Sequence, residues 1–179
     1  MTTPEPAAAL EPAREFVRAV EAKDLDAVAA TLAPDVRQLF VHSRRTRTPD
    51  GVADVIAGRG KGICVADLRG RAEVLAYTGA LFDKFTPLAW RDHGWTASAR
   101  GIFFCGKGDM VVARTGKPYR NSYVTRFDVE GGGIVRMVEH ADAFLYAGLR
   151  VRPNGVEFRA LLRAVGRLLP PVGSSRSGG

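Results

Sequence analysis

Apolar residues recur three and four apart in the first half of the chain and more nearly at alternate positions in the second, so helices precede strands. From Pro12 to Lys23, the residues Phe16, Val17 and Val20 share one helical face. Asp24 is a good N-cap for a second helix, with Leu25, Val28, Ala29 and Leu32 as its stripe and Pro34 as its stop. Val36 to Val41 alternates weakly and reads as a strand. Arg71 to Phe85 has the broadest stripe, Val74, Tyr77, Thr78, Leu81, Phe82 and Phe85, closed by Pro87. A strand around Trp90, a turn at His93-Gly94 and a strand through Ile102 to Cys105 follow. Gly106 and Gly108 then mark a bulge or sharp bend. This order predicts an α+β fold in which helices cover one face of a curved sheet.

The stretch from Tyr119 to Tyr146 reads as two antiparallel strands joined at Glu130-Gly131-Gly132-Gly133. A two-residue turn at Gly131 and Gly132 pairs Val129 with Ile134, Phe127 with Arg136, Arg126 with Met137 and Val124 with Glu139. Val124, Arg126, Val135, Met137 and Glu139 then share one face, and Tyr123, Thr125, Phe127, Ile134, Val138 and His140 the other. Glu139 is thereby expected among apolar side chains, one diagonal step from Arg126. Desolvation raises the pKa of such a carboxyl and a neighbouring arginine lowers it. The third glycine leaves a one-residue slip open, which would turn every side chain to the other face.

Beyond Tyr146 a last helix is expected from roughly Val156 to Leu169. Phe158, Leu161, Leu162, Val165, Leu168 and Leu169 form its apolar side, expected to fold back on the domain or across a dimer interface, and Arg159, Arg163 and Arg167 the opposite side. Residues 1–12 and 171–179 read as mobile tails around a domain at 13–151 and a helical extension at 152–170.

Charge changes this picture little. The 26 basic and 19 acidic residues of the 179 give +7, spread along the chain, with no recognition helix, zinc finger or aromatic RNA-binding motif, so nucleic acid is not an expected partner. Arg44, Arg45 and Arg47 form a cationic loop able to attract a carboxylate or phosphate. Gly58-Arg59-Gly60-Lys61-Gly62 fails the phosphate-loop test because Gly62, not Ser or Thr, follows the lysine. Cys64 and Cys105 have neither zinc nor redox spacing, and His42, His93 and His140 form no metal-binding motif, so no metal or other cofactor is expected. The start, MTTPEPAAALEP, has neither a basic n-region nor a long h-region. No apolar run approaches the roughly 18 residues of a membrane span, so the expectation is a cytoplasmic protein.

The run KPYRNSYVTRFDVEGGGIVRMVEHADAFLYAGLRV resembles the SnoaL-like branch of the NTF2-like superfamily in its aromatic-Arg-Asn segment, strand, glycine turn and Ile-x(4)-Glu-aromatic segment. Within that branch the chain looks most like the phenazine-biosynthesis A/B proteins, with further matches at Phe85 to Trp90, Phe104 to Gly108 and Leu145 to Val151. The resemblance implies a cone-shaped, ketosteroid isomerase-like barrel: a strongly curved, mainly antiparallel sheet around three N-terminal helices, with an apolar pocket, usually in a homodimer. It implies that Glu139 is the pocket acid/base, and that Asp142 falls where relatives carry Asp or Asn. Tyr77 stands where a pocket histidine is expected, and His140 where an aromatic residue is usual. Both departures argue against the same amino-ketone condensation.

The expected function is a cofactor-independent enzyme of natural-product metabolism catalysing a cyclisation, condensation or isomerisation. Glu139 is its acid/base, Tyr77 a hydrogen-bond donor to an enolate-like oxygen, and Arg126 an anchor for an anionic substituent. Trp90 and Asp142 complete the expected contacts to a small hydrophobic or aromatic substrate. A non-catalytic ligand binder or dimeric scaffold is the alternative on the same fold. Epoxide hydrolysis ranks below both, because the register above turns Tyr123 and Asn121 away from Glu139.

Overall fold

The computed structural model describes residues 6–43, 49–59 and 62–167. In chain order these form α1 (Pro6–Ala22), α2 (Leu25–Thr31), β1 (Leu32–His42), α3 (Pro49–Ile56), β2 (Ile63–Arg69), α4 (Arg71–Lys84) and β3 (Trp90–Ser98). Then come β4 (Gly101–Gly108), the short pair β5 (Met110–Val111) and β6 (Pro118–Tyr119), β7 (Ser122–Glu130), β8 (Gly133–Ala141), α5 (Ala143–Ala147) and α6 (Gly155–Gly166). Six strands make one curved sheet in the order β2-β1-β8-β7-β4-β3, antiparallel except for the parallel pair β1–β8. The α+β expectation holds, and so do the helix over Arg71–Lys84 and the N-cap of α2, where Asp24 accepts from the Ala27 amide at 2.9 Å.

The inner face of the sheet carries the main core. Phe16, Val17 and Val20 of α1 pack with Val28 of α2 and Val74 of α4 against Ile102, Phe104, Phe127, Ile134 and Met137. Alternate residues of the same strands point the other way, where Phe103 and Val124 meet Val55 of α3. This outer helix carries no sequence expectation. Its four apolar positions sit between two glycine- and arginine-rich loops, too short a stripe to stand out. The loop arginines Arg44, Arg45 and Arg47, the tail residues 1–5 and the chain beyond Arg167 lie outside the described residues.

Four expectations are corrected. Helix α1 begins at Pro6, so residues 6–12, expected in a tail, are helical; proline suits a first helical turn, and an alanine run follows it. The strand from Trp90 does not turn at His93-Gly94 but bulges there and continues to Ser98, with Gly94 pairing Cys105. The bulge expected at Gly106 and Gly108 falls on the partner strand: β4 pairs regularly with β7 there, Gly106 with Tyr123 and Lys107 with Ser122, and it is β3 that carries an extra residue opposite Gly106. The two glycines make room for rings: a Cβ at Gly106 would lie 2.8 Å from the Phe104 ring and 3.1 Å from Trp90 Cβ, and one at Gly108 3.0 Å from Tyr123.

The fourth correction concerns α6, which folds back on β2 and α4 as expected but does so with its arginine side and not its apolar one. Glu157, Ala160 and Ala164 are buried, whereas Phe158, Leu161, Leu162 and Val165 are 41–53 % exposed. Small residues let the helix approach closely, and charge fixes it. Arg163 bonds Glu73 at 2.6 Å, and Arg167 reaches the fully buried Asp67 at 2.7 Å, beside Arg37 and Arg69. Burial pushes the Asp67 carboxyl up, but hydrogen bonds from Arg37 and Arg69 outweigh it and leave the pKa below its ordinary value.

The hairpin register is also settled. Gly131 and Gly132 both have positive φ, 57° and 80°, as a two-residue type I′ turn requires, and Val129 pairs with Ile134 as expected. Then β8 inserts one residue: Asp128 pairs with Arg136 and Val135 is bulged out. The neighbouring β1 breaks step at the same level, between Leu32 and Arg37. From there on, every pairing is displaced by one residue from that of an unbulged hairpin.

Candidate active site

Because of the bulge, Glu139 stands opposite Thr125 of β7 and, on its other side, beside Phe40 of β1. Its face is the inner one, with Tyr123, Phe127 and Met137, and not that of Arg126. Between this face and the helices lies a cavity of about 520 Å³, the size of small-molecule sites generally. Phe16 and Val20 of α1, Tyr77 and Leu81 of α4, and Trp90 of β3 form apolar walls. Phe144 and Leu161 line it while remaining 63 % and 41 % exposed, so it opens beside α5 and α6.

Glu139 makes no hydrogen bond or ion pair among the described residues, and burial pushes its pKa from 4.5 up to about 7. Tyr77 packs its ring 4.8 Å from that of Phe40 and lines the same cavity. Burial raises its hydroxyl well above 10, and the nearby Tyr146 and Glu139 acids add to the effect. This hydroxyl is therefore a donor and not a phenolate.

A second group of polar side chains faces Glu139 from β6, β7 and the start of α5. Asn121 donates through Nδ2 to the Tyr119 hydroxyl at 2.9 Å and to the Asp142 carbonyl at 3.0 Å. Asp142 caps α5, its carboxylate accepting from the Phe144 and Leu145 amides at 3.0 and 3.4 Å, with His42 Nδ1 3.8 Å away. Glu157 is held by Lys84 and by the Tyr146 hydroxyl at 2.9 Å, and completes a capping box with Asn154. Two of the three carboxylates in the lining are thus committed to helix ends, leaving Glu139.

The structure brings Glu139, Tyr77, Trp90 and Asp142 to one cavity and leaves out Arg126. Arg126 faces outward and grips Asp128 through Nε and Nη2 at 2.8 and 2.7 Å. Its expected role as anchor of an anionic substituent falls with the register. Tyr123 and Asn121, expected on the far side, line the cavity for the same reason. Sequence reasoning missed Gln38, Tyr119 and Glu157. For Gln38 the signal was available, since it is a polar residue in phase with Val36 and Phe40 on a strand otherwise apolar on that side. Among the described residues no group of three or more His, Cys, Asp or Glu side chains is placed to hold a metal.

A family model described as a SnoaL-like domain matches residues 13–137. The chain belongs to the SnoaL-like family. The fold recurs in solved structures. One is a candidate SnoaL-like polyketide cyclase from Jannaschia sp. CCS1, 16 % identical with a TM-score of 0.62, covering 86 % of this chain and 99 % of that one. A candidate isomerase from Bacillus subtilis is 20 % identical with a TM-score of 0.58, covering 78 % and 89 %. An LEH-like epoxide hydrolase from M. tuberculosis is 15 % identical with a TM-score of 0.57, covering 92 % and 97 %. At such identities the likeness shows the NTF2-like fold alone. No curated protein matches the chain. Among the described residues no helix is long and apolar enough to cross a membrane.

Proposed function

We propose that this SnoaL-like protein is a cofactor-independent enzyme of natural-product metabolism that moves a proton on an apolar small molecule, in a cyclisation, condensation or isomerisation. The observation that carries this reading is the Glu139 carboxyl, in an apolar cavity and without a partner among the described residues. A carboxyl that titrates near 7 exists in both forms at working pH, which is where one group serves best as base and then as acid. As carboxylate, Glu139 takes a proton from carbon beside a carbonyl. The Tyr77 hydroxyl donates to the oxygen on which charge develops, and Glu139 returns the proton at the new position. Trp90 and the other aromatic walls orient the substrate.

Epoxide hydrolysis gains one point and loses another. Tyr123, Asn121 and Asp142 do line the cavity with Glu139, but the Asp142 carboxylate is taken up by the start of α5 and the Asn121 amide by Tyr119 and Asp142. Among the described residues no second carboxylate stands uncommitted in the lining to pair with Glu139.

Native mass spectrometry of wild type and Glu139→Gln, purified from an extract of the producing organism, tests the proposal. The variant is expected to trap a small molecule that the wild type converts. Retention of the same unchanged molecule by both would favour a non-catalytic binding protein. A homodimer in the cytoplasm belongs to the same proposal. The outward ridge Phe158, Leu161, Leu162 and Val165 has the three- and four-residue spacing of a helix-to-helix seam, suited to a second copy of the chain. Sedimentation velocity should find a dimer that Leu162→Glu converts to monomer.

A further inference from the structure

A second hollow, of about 460 Å³, opens at the end of the sheet where Arg91 of β3, Lys107 of β4 and Ser122 of β7 pair in one row. Lys107 and Ser122 are in phase with Phe103 and Val124, so the row belongs to the outer face. Arg120, just before β7, and Leu145 of α5 complete its walls. Of its described lining, Asn121 alone is shared with the Glu139 cavity.

Three cations from three stretches of chain are thus gathered around one concavity. Like charges so placed repel one another, and an anion between them relieves the repulsion. Two acids beside the hollow offset part of the charge. Lys107 meets Asp92 at 2.8 Å, but both side chains are about two-thirds exposed, and an incoming anion displaces such a pair at little cost. Asp109 lies between Arg91 Nε, at 3.1 Å, and Arg120 Nη2, at 2.6 Å. Arg120 also donates through Nη1 to the Met110 and Tyr119 carbonyls at 2.6 and 3.2 Å, so it is ordered before any ligand arrives. A guanidinium carries five N–H groups, and these contacts exhaust neither arginine.

The arrangement of donors narrows the anion. A carboxylate has two coplanar oxygens and matches a single guanidinium fork, a place Asp109 already takes between the arginines. Two guanidiniums, an ammonium and the Ser122 hydroxyl, spread around the hollow, suit the three terminal oxygens of a phosphate. The volume is in the range of small-molecule sites, and Leu145 gives a carbon skeleton an apolar wall.

We propose that this hollow is a second binding site, for a phosphate monoester of a small organic molecule, with Arg91, Lys107 and Arg120 on the phosphate and Leu145 against its carbon skeleton. The site is independent of the role given to Glu139.

Calorimetric titration of the full chain at pH 8, where a phosphate ester is dianionic, with phenyl phosphate, inorganic phosphate and benzoate tests the site, chloride holding the ionic strength constant. Phenyl phosphate should bind at least about fivefold more tightly than either other probe, and should shift the Lys107 and Ser122 amide resonances. Arg91→Gln and Lys107→Gln, both at well-exposed side chains, should each weaken it about tenfold. Arg126→Gln removes the same charge elsewhere on the outer face and should leave it unchanged. Absence of saturable binding, equal affinity for benzoate, resonance shifts at Tyr77 and Glu139 in place of Lys107 and Ser122, or an equal loss in Arg126→Gln overturns the inference. Phosphatidate vesicles that carry the protein down at the same ionic strength would move the phosphate to a lipid surface and overturn the small-molecule assignment.

Discussion

Thr125 stands opposite Glu139 across the β7–β8 ladder, and Phe40 stands beside it on β1. An unbulged hairpin from the same glycine turn would have placed Val124 there and sent the carboxyl to the outer face, next to Arg126. One inserted residue, Val135, decides which face holds the acid.

Replacing Glu139 by Gln should stabilise the protein above neutral pH. The carboxyl is protonated in both states below about pH 4.5. Between 4.5 and about 7 the unfolded chain ionises it and the folded chain does not, so stability falls as pH rises. The loss is on the order of 3 kcal/mol. Urea denaturation at pH 5 and pH 8 should show this slope in wild type and its absence in Glu139→Gln.

Arg126→Ala should leave ligand binding unchanged and cost no more than about 1 kcal/mol, because its pair with Asp128 is partly exposed on the outer face. A tenfold loss of affinity for the trapped ligand would place Arg126 back in the site.

Asp67→Asn should destabilise by about 3 kcal/mol, as expected where one member of a buried ion cluster is neutralised and its partners stay. Three arginines from three elements, Arg37, Arg69 and Arg167, converge on this carboxylate. The loss should show in thermal unfolding and as faster proteolysis within α6. Since ion pairing holds the Asp67 pKa below its ordinary value, the stability it gives is present above about pH 4 and is lost as pH falls further.

Gly106→Ala should be as harmful as a core overpacking change, about 1–3 kcal/mol, because the added methyl meets the Phe104 ring and the Trp90 Cβ. Tryptophan emission should shift with it, as Trp90 is displaced from the cavity wall.

Much of this arrangement was legible before the fold was seen. Helix α4, the Asp24 cap and the Gly131-Gly132 turn each depend on residues close in sequence, so local pattern reveals them. Glu139, Tyr77 and Trp90 were singled out as candidates through chemistry and resemblance, and they line one cavity. The register was not, because the bulge at Val135 depends on β1, some hundred residues earlier, where Pro34 lies in the stretch that breaks step at the same level. The orientation of α6 was hidden for a related reason. Its leucines say which side is apolar, but Asp67 and Glu73, distant acids on β2 and α4, hold the arginine side inward. Gln38 did carry a signal, its phase with Val36 and Phe40 on β1, but only the fold shows that this face lines a cavity.

The central claim is that Glu139, with no partner among the described residues, is a carboxyl set in an apolar cavity and poised between its two forms at neutral pH. Carbon-13 NMR of glutamate-labelled protein, with Glu139→Gln identifying the resonance, titrates that group directly and requires no substrate. The account predicts a midpoint near pH 7. A midpoint between about 4 and 5, the range of a solvated glutamate, would contradict it.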